Sequence, residues 1–207
     1  MNADARISNA LAVRLMLGAA AALLAASLFL PLWFTELESP QYHGEDAIVV
    51  SVYAGRVTGN LREVQTLNQY VGVRLPLDAP ELRALPYALG AFLALTVAAI
   101  LMPAAIQKKA LVANFAVMAA AGFAGAALLQ YRLYQLGHER TRSILRGFPN
   151  FTPPIVGSMH LANFHVETGL RAGGWAFALA IVLTGTAAWL VRRRTVRMTS
   201  AALACAT

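Results

Sequence analysis

Four long apolar runs are separated by two long and one short polar connection. The runs cover about residues 15–34, 86–106, 110–129 and 172–191. Each reaches the roughly 20 residues that a helix needs to cross a bilayer. The long connections, 35–85 and 132–171, carry mixed patterns. Residues 47–53 (AIVVSVY) are β-branched and bounded by turn residues, which predicts a strand. Asn60 with Glu63 reads as a helix cap, and Leu61, Val64, Leu67 and Val71 recur near helical spacing. Asp78, Pro80 and Glu81 predict another short helix leading to the second run. Tyr131 to Leu136 extends the third run, and the prolines of GFPNFTPP (147–154) exclude regular helix there. The pattern predicts a single, mainly α membrane domain over 1–207. Its four transmembrane helices would carry a small mixed α/β extracytoplasmic cap made by both long loops.

Composition supports the membrane reading. Of the 207 residues, 58% are hydrophobic and only 13% charged, where a soluble domain carries about a quarter. Trp33, Tyr87, Tyr131, Trp175 and Trp189 fall near the run ends, as interfacial aromatics do. The first run also has features of a signal peptide: Arg6 and Arg14 precede it, and Ala25-Ala26-Ser27 offers small residues for cleavage. The apolar stretch continues to Phe34, which favours an uncleaved span. Gly18 with Ala22, Gly90 with Ala94 and Gly122 with Ala126 form spacings that permit close helix approach.

The distribution of charge sets an orientation. The N-terminal tail to Arg14, the Lys108-Lys109 connection and the tail from Arg192 hold 8 Lys/Arg and 1 acid. The two long loops hold 9 of each sign, so the entire net charge of +7 lies on one side. The positive-inside rule makes that side cytoplasmic, with both termini inside and both long loops outside. The basic tail then reads as an anchor against lipid, and nucleic-acid binding has no folded basic domain to carry it. The expected location is a membrane, crossed four times with both termini in the cytoplasm.

Candidate chemistry is confined to the loops. No ionisable group lies in the middle of a run, which argues against proton relays and ion paths. Intramembrane haem ligation by histidine is excluded on the same ground. The single cysteine, Cys205, excludes an intramolecular disulfide. No nucleophile elbow or HExxH motif occurs, so no catalytic residue is assigned and the chain is not expected to be an enzyme. The metal candidates are His160, His165, Met159 and His43, since imidazole and thioether suit copper. A spacing of five separates His160 from His165. That places them roughly 140° apart on a helix and on opposite faces of a strand, so only a loop brings them together. Glu36, Glu38, Glu45 and Asp46 with His43 form an acidic patch, read as a solvated face ahead of a hard-cation site. Glu139, Arg140 and Arg142 could pair with it.

Three segments in order carry a resemblance: Leu67-Asn68-Gln69-Tyr70-Val71-Gly72; ELRALPYALG over 81–90; and Phe151-Thr152-Pro153-Pro154 followed by Ala162-Asn163-Phe164. The chain resembles a family of small four-span bacterial membrane proteins encoded beside maturation genes for copper enzymes of the nitrous-oxide-reductase type. The resemblance implies an accessory or maturation role, with transient copper as the possible cofactor and a membrane or periplasmic protein as partner. In the first segment the family pattern reads L-N-H-Y-I-G-M, whereas this chain has Gln69 and Val73 at the histidine and methionine positions. Asn68, Tyr70, Gly72, Phe151, Pro153, Pro154, Asn163 and Phe164 are expected to shape the cap or dock a partner. Two alternatives stay open beside the accessory role: a metal-free structural subunit of a membrane complex, and an enzyme acting on lipid at the loop–membrane boundary.

Overall fold

The structure is a computed structural model that describes residues 3–39, 47–64, 66, 80–138, 150–161 and 164–204. Four helices dominate: α1 (Ala3–Phe29), α2 (Pro80–Leu101), α3 (Ala104–His138) and α4 (Ala172–Ala204). All four contain a stretch long and apolar enough to span a membrane. Five strands form one antiparallel sheet: β1 (Trp33–Glu38), β2 (Ile48–Tyr53), β3 (Arg56–Gly59), β4 (Gly157–Leu161) and β5 (Phe164–Leu170). Their order is β3-β2-β1-β5-β4. The chain divides into two compact units, and the division falls inside the helices.

The first unit comprises Met1–Ala26, Ala88–Ala121 and Ala176–Thr207. Its core is aliphatic: Val13 and Leu17 of α1, Ala99 of α2, Leu111 of α3, and Ala187, Ala188 and Val191 of α4. Three polar side chains are buried among them, Thr96, Asn114 and Thr184. Thr96 and Thr184 donate back to the carbonyls of Phe92 and Ala180, the usual way a hydroxyl is satisfied inside a helix. Asn114 Nδ2 donates to Thr96 Oγ1 at 3.0 Å, tying α3 to α2. Gln107 Nε2 donates to the Ala99 carbonyl at 2.9 Å, one of the carbonyls left open at the end of α2. The expected small-residue spacings do not mark close contacts at Gly18 or Gly90, where an added Cβ would meet nothing within 4 Å. The close approach is at Gly185 instead, where a Cβ would lie 2.7 Å from the ring of Phe115.

The second unit comprises Ser27–Tyr87 and Gly122–Trp175 and contains the whole sheet. β2 falls where the β-branched run predicts it. β1 was not anticipated. Pro31 has no amide to continue α1, so the chain leaves the helix at Phe29, and Trp33 and Phe34 become strand. Glutamates are poor strand formers, but β1 is held on both edges, by β2 from Trp33↔Val52 to Leu37↔Ile48 and by β5 from Trp33↔Leu170 to Glu38↔His165. Pairing on both sides outweighs the weak intrinsic preference. Since β1 and β2 come from the first long loop and β4 and β5 from the second, the β1–β5 ladder joins the two loops.

The register fixes two faces. Trp33, Thr35 and Leu37 share one with Ile48, Val50, Val52, Val166 and Thr168. A helical turn at 61–64 covers part of this face, with Val64 and Leu61 against Ile48 and Val50. Val64 N donates to the Asn60 carbonyl, as the cap signal predicts. The remainder of that predicted helix, with Leu67 and Val71, lies outside the described residues.

Several boundaries differ from the sequence reading. α2 begins at Pro80 and is continuous, so the short helix expected there and the second span are one element. Proline is well placed in a first helical turn, where its missing amide costs nothing. The same helix ends at Leu101, ahead of Pro103, so the second run does not extend to 106 and Lys108 and Lys109 lie within α3. α4 runs on through Arg192-Arg193-Arg194, so the basic tail is helical there. Trp33 differs from the other run-end aromatics in being buried. It is 7% exposed, and its indole donates to the Ile155 carbonyl at 2.7 Å. Tyr87, Tyr131, Trp175 and Trp189 remain exposed.

Candidate functional site

The site is built on the hairpin β4–β5. Leu161 pairs with Phe164, and His160 pairs directly with His165. The segment is therefore neither a single strand nor a loop. It is a strand, a two-residue connection and a return strand. Residues five apart then meet across the ladder, where facing Cβ atoms stand about 4.5–5.5 Å apart. The two imidazole rings lie with centroids 4.6 Å apart and planes tilted by 46°. His165 Nδ1 is buried and has no hydrogen-bond partner, while His160 is exposed.

Alternation along the strand separates members of the expected ligand set. Met159 pairs with Val166, one position out of phase with His160. It belongs to the opposite face of the sheet, so its thioether does not join the histidine pair. His43 lies outside the described residues, as do Glu45, Asp46, Glu139, Arg140 and Arg142. Glu36 and Glu38 of the acidic patch stand on β1, opposite Glu167 and His165 respectively. They are half-buried and share the face of the histidine pair. Among the described residues, no group of three or more His, Cys, Asp or Glu side chains is gathered so as to hold a metal ion. His138, the last residue of α3, turns back on its own helix: its ring stacks on Tyr134 at 3.9 Å, with Nδ1 3.0 Å from the Tyr134 carbonyl.

The segment before β4 is irregular and is held by three side chains. Trp33 donates to the Ile155 carbonyl. Thr168, 3% exposed, donates to the carbonyls of Pro154 at 2.8 Å and Gly157 at 3.2 Å. Gln130 Nε2 reaches the Pro153 carbonyl at 3.4 Å. Pro153 is buried, and the Phe151 carbonyl lies so close to Gly137 of α3 that any Cβ there would clash with it. Phe151, Pro153 and Pro154 all lie in this anchored segment. Asn163, Asn68, Tyr70 and Gly72 lie outside the described residues, and Phe164 is described as the first residue of β5.

Two further contacts of the second unit carry no signal in the sequence. One is the junction of α1 with α4: Gly173 N donates to the Pro31 carbonyl at 2.9 Å, and Ser27 Oγ donates to the Gly173 carbonyl at 3.0 Å. A Cβ on Gly173 would lie 2.6 Å from the Leu30 carbonyl. The other is the Arg132–Glu81 ion pair between α3 and α2, with Nε to Oε1 at 3.2 Å. On the histidine face, Phe34 lies over Gly169 and Arg171 stacks on Phe34 at 4.1 Å. No protein-family model and no curated protein matches the chain.

Proposed function

We propose that the chain is a multi-pass protein of the bacterial inner membrane that assists assembly or metal loading of an extracytoplasmic or membrane-bound redox enzyme, with copper as the cargo. Four apolar helices support the membrane placement, and so do the large apolar side chains they turn outward, such as Phe123 at 84% and Leu15 at 65% exposure. Patches of that kind are rare on a protein surrounded by water. At 35 residues, α3 is about 52 Å long, more than the ~30 Å hydrocarbon core requires. Four crossings put both long loops on one side of the membrane, and the β1–β5 ladder between those loops is consistent with that. The charge asymmetry makes this side extracytoplasmic and leaves both termini in the cytoplasm. The sheet then forms the outer cap.

The observation that carries the metal reading is the cross-strand pair His160–His165, two imidazoles side by side, with Nδ1 of His165 buried and without a hydrogen-bond partner. Such a pair can take an ion and release it, because few ligands hold it. The second reading is a metal-free structural subunit. It is favoured by the side-chain anchoring of 153–157, which builds a fixed surface without any need of an ion. A chromosomal deletion separates the two. Metal loading requires that the partner enzyme persist as protein but lose metal, and that the His160→Ala/His165→Ala allele fail to restore it. A structural subunit requires that the complex itself disappear and that the same allele restore it.

A further inference from the structure

The register of the sheet places one more ligand beside the histidine pair. Glu38 on β1 pairs with His165 on β5, and His165 pairs with His160 on β4. Residues in register on neighbouring strands turn to the same face. Glu38, His165 and His160 therefore form one row across three strands, with His165 in the middle. Strands are spaced about 4.8 Å apart, so the row is roughly 9–10 Å wide. An ion above the middle strand is within reach of both outer side chains, given metal–ligand bonds of about 2.0–2.2 Å. As they stand, the described side chains include no group of three His, Cys, Asp or Glu placed to hold an ion, so the row needs side-chain rotation to close. Glu38 is half-buried and His160 is exposed, so both can turn toward His165 by rotating their own side chains.

Three observations point to a cation here. The buried Nδ1 of His165 lacks any partner. The cross-strand pairing brings the two rings within 4.6 Å, which sets two imidazole ligands side by side. In the adjacent row, Glu36 faces Glu167, a like-charge pair that is unfavourable unless positive charge is near. The donor set also selects the ion. Thioether would favour Cu(I), but Met159 is on the other face, and what remains is two imidazoles and a carboxylate. Those ligands suit divalent borderline cations, among which copper binds more tightly than nickel or zinc.

We propose that Glu38, His165 and His160 form a three-ligand site for a divalent first-row metal ion, Cu(II) most tightly and Zn(II) less so. This rests on the metal-handling reading above and specifies its cargo as a divalent ion. The remaining coordination positions are open to water or to a partner's ligand, as a transfer site requires.

The test uses the purified full-length chain in detergent, stripped of metal and titrated separately with Cu(II), Zn(II) and, under reducing conditions, Cu(I), each against a competing chelator. One Cu(II) per chain is expected, bound more tightly than Zn(II), with an electron paramagnetic resonance spectrum showing coupling to two nitrogens. Glu38→Gln is expected to weaken Cu(II) about tenfold or more, the loss typical even of outer-shell partners, while circular dichroism stays unchanged. Met159→Leu is expected to change nothing. Cu(I) binding that Met159→Leu abolishes and Glu38→Gln leaves alone would overturn the three-ligand row while leaving metal handling in place. Cu(II) affinity indifferent to Glu38→Gln would overturn it too. Failure of the wild-type chain to bind any of the three ions would overturn both the row and the metal-handling reading.

Discussion

Thr168 holds the hairpin that carries the histidine pair, and Thr168→Val isolates that role. Both residues are β-branched, so strand preference barely changes. The substitution removes one hydroxyl that donates to the Pro154 carbonyl at 2.8 Å and, more weakly, to the Gly157 carbonyl at 3.2 Å. Thr168 is almost fully buried, and water cannot simply take its place. Leaving a buried acceptor unpaired costs about 1–3 kcal/mol. These bonds are part-buried, so the lower half of the range, about 1–2 kcal/mol, applies. At 1.4 kcal/mol per decade, that is a rise of roughly 5–30-fold in local opening. Hydrogen exchange of the detergent-solubilised chain, followed by mass spectrometry, reads it directly. Peptides covering 153–161 are expected to lose protection by that factor, with α1 through α4 unchanged and Thr168→Ser close to wild type. Unchanged exchange over 153–161 in Thr168→Val would refute the claim that this hydroxyl secures the hairpin.

Three further outcomes follow from other contacts. Gly137→Ala drives a methyl into the Phe151 carbonyl and is expected to cost about 1–3 kcal/mol, in the range of overpacked sites, read as a lowered melting midpoint in detergent. A double-mutant cycle between Thr96→Val and Asn114→Leu is expected to give a coupling of about 0.6 kcal/mol and no more than about 1.7, the range for hydrogen bonds between membrane helices. A coupling near zero, measured by unfolding in mixed micelles, would show that the bond does not tie α2 to α3. For orientation, a membrane-impermeant maleimide should label Ser158→Cys in intact spheroplasts of a Cys205→Ser background. Native Cys205 should label only after permeabilisation, and the reverse pattern would invert the topology.

The helices were legible because an apolar run of 20 residues has few structural alternatives. Their ends were less so, since prolines act locally: Pro31 and Pro103 moved boundaries by several residues, and both shifts follow from the missing amide. Strand β2 was legible from its β-branched residues. Strand β1 was not, because Thr35-Glu36-Leu37-Glu38 becomes strand only through partners on both edges. The histidine pair escaped for a similar reason. A spacing of five is opposed on one strand but adjacent across a tight hairpin, and the spacing alone does not tell the two apart. Recognising the hairpin would have paired His160 with His165 and set Met159 apart. Glu38 as a neighbour of His165 needs the long-range register of β1 on β5, which no local pattern carries.

Metal content of the purified chain after equilibrium dialysis tests the metal-handling claim most directly, with His160→Ala/His165→Ala carried in parallel. Close to one metal ion per chain in the wild type and none in the double variant is the expected result. A wild-type chain that retains no metal, or a double variant that retains as much as the wild type, would contradict it.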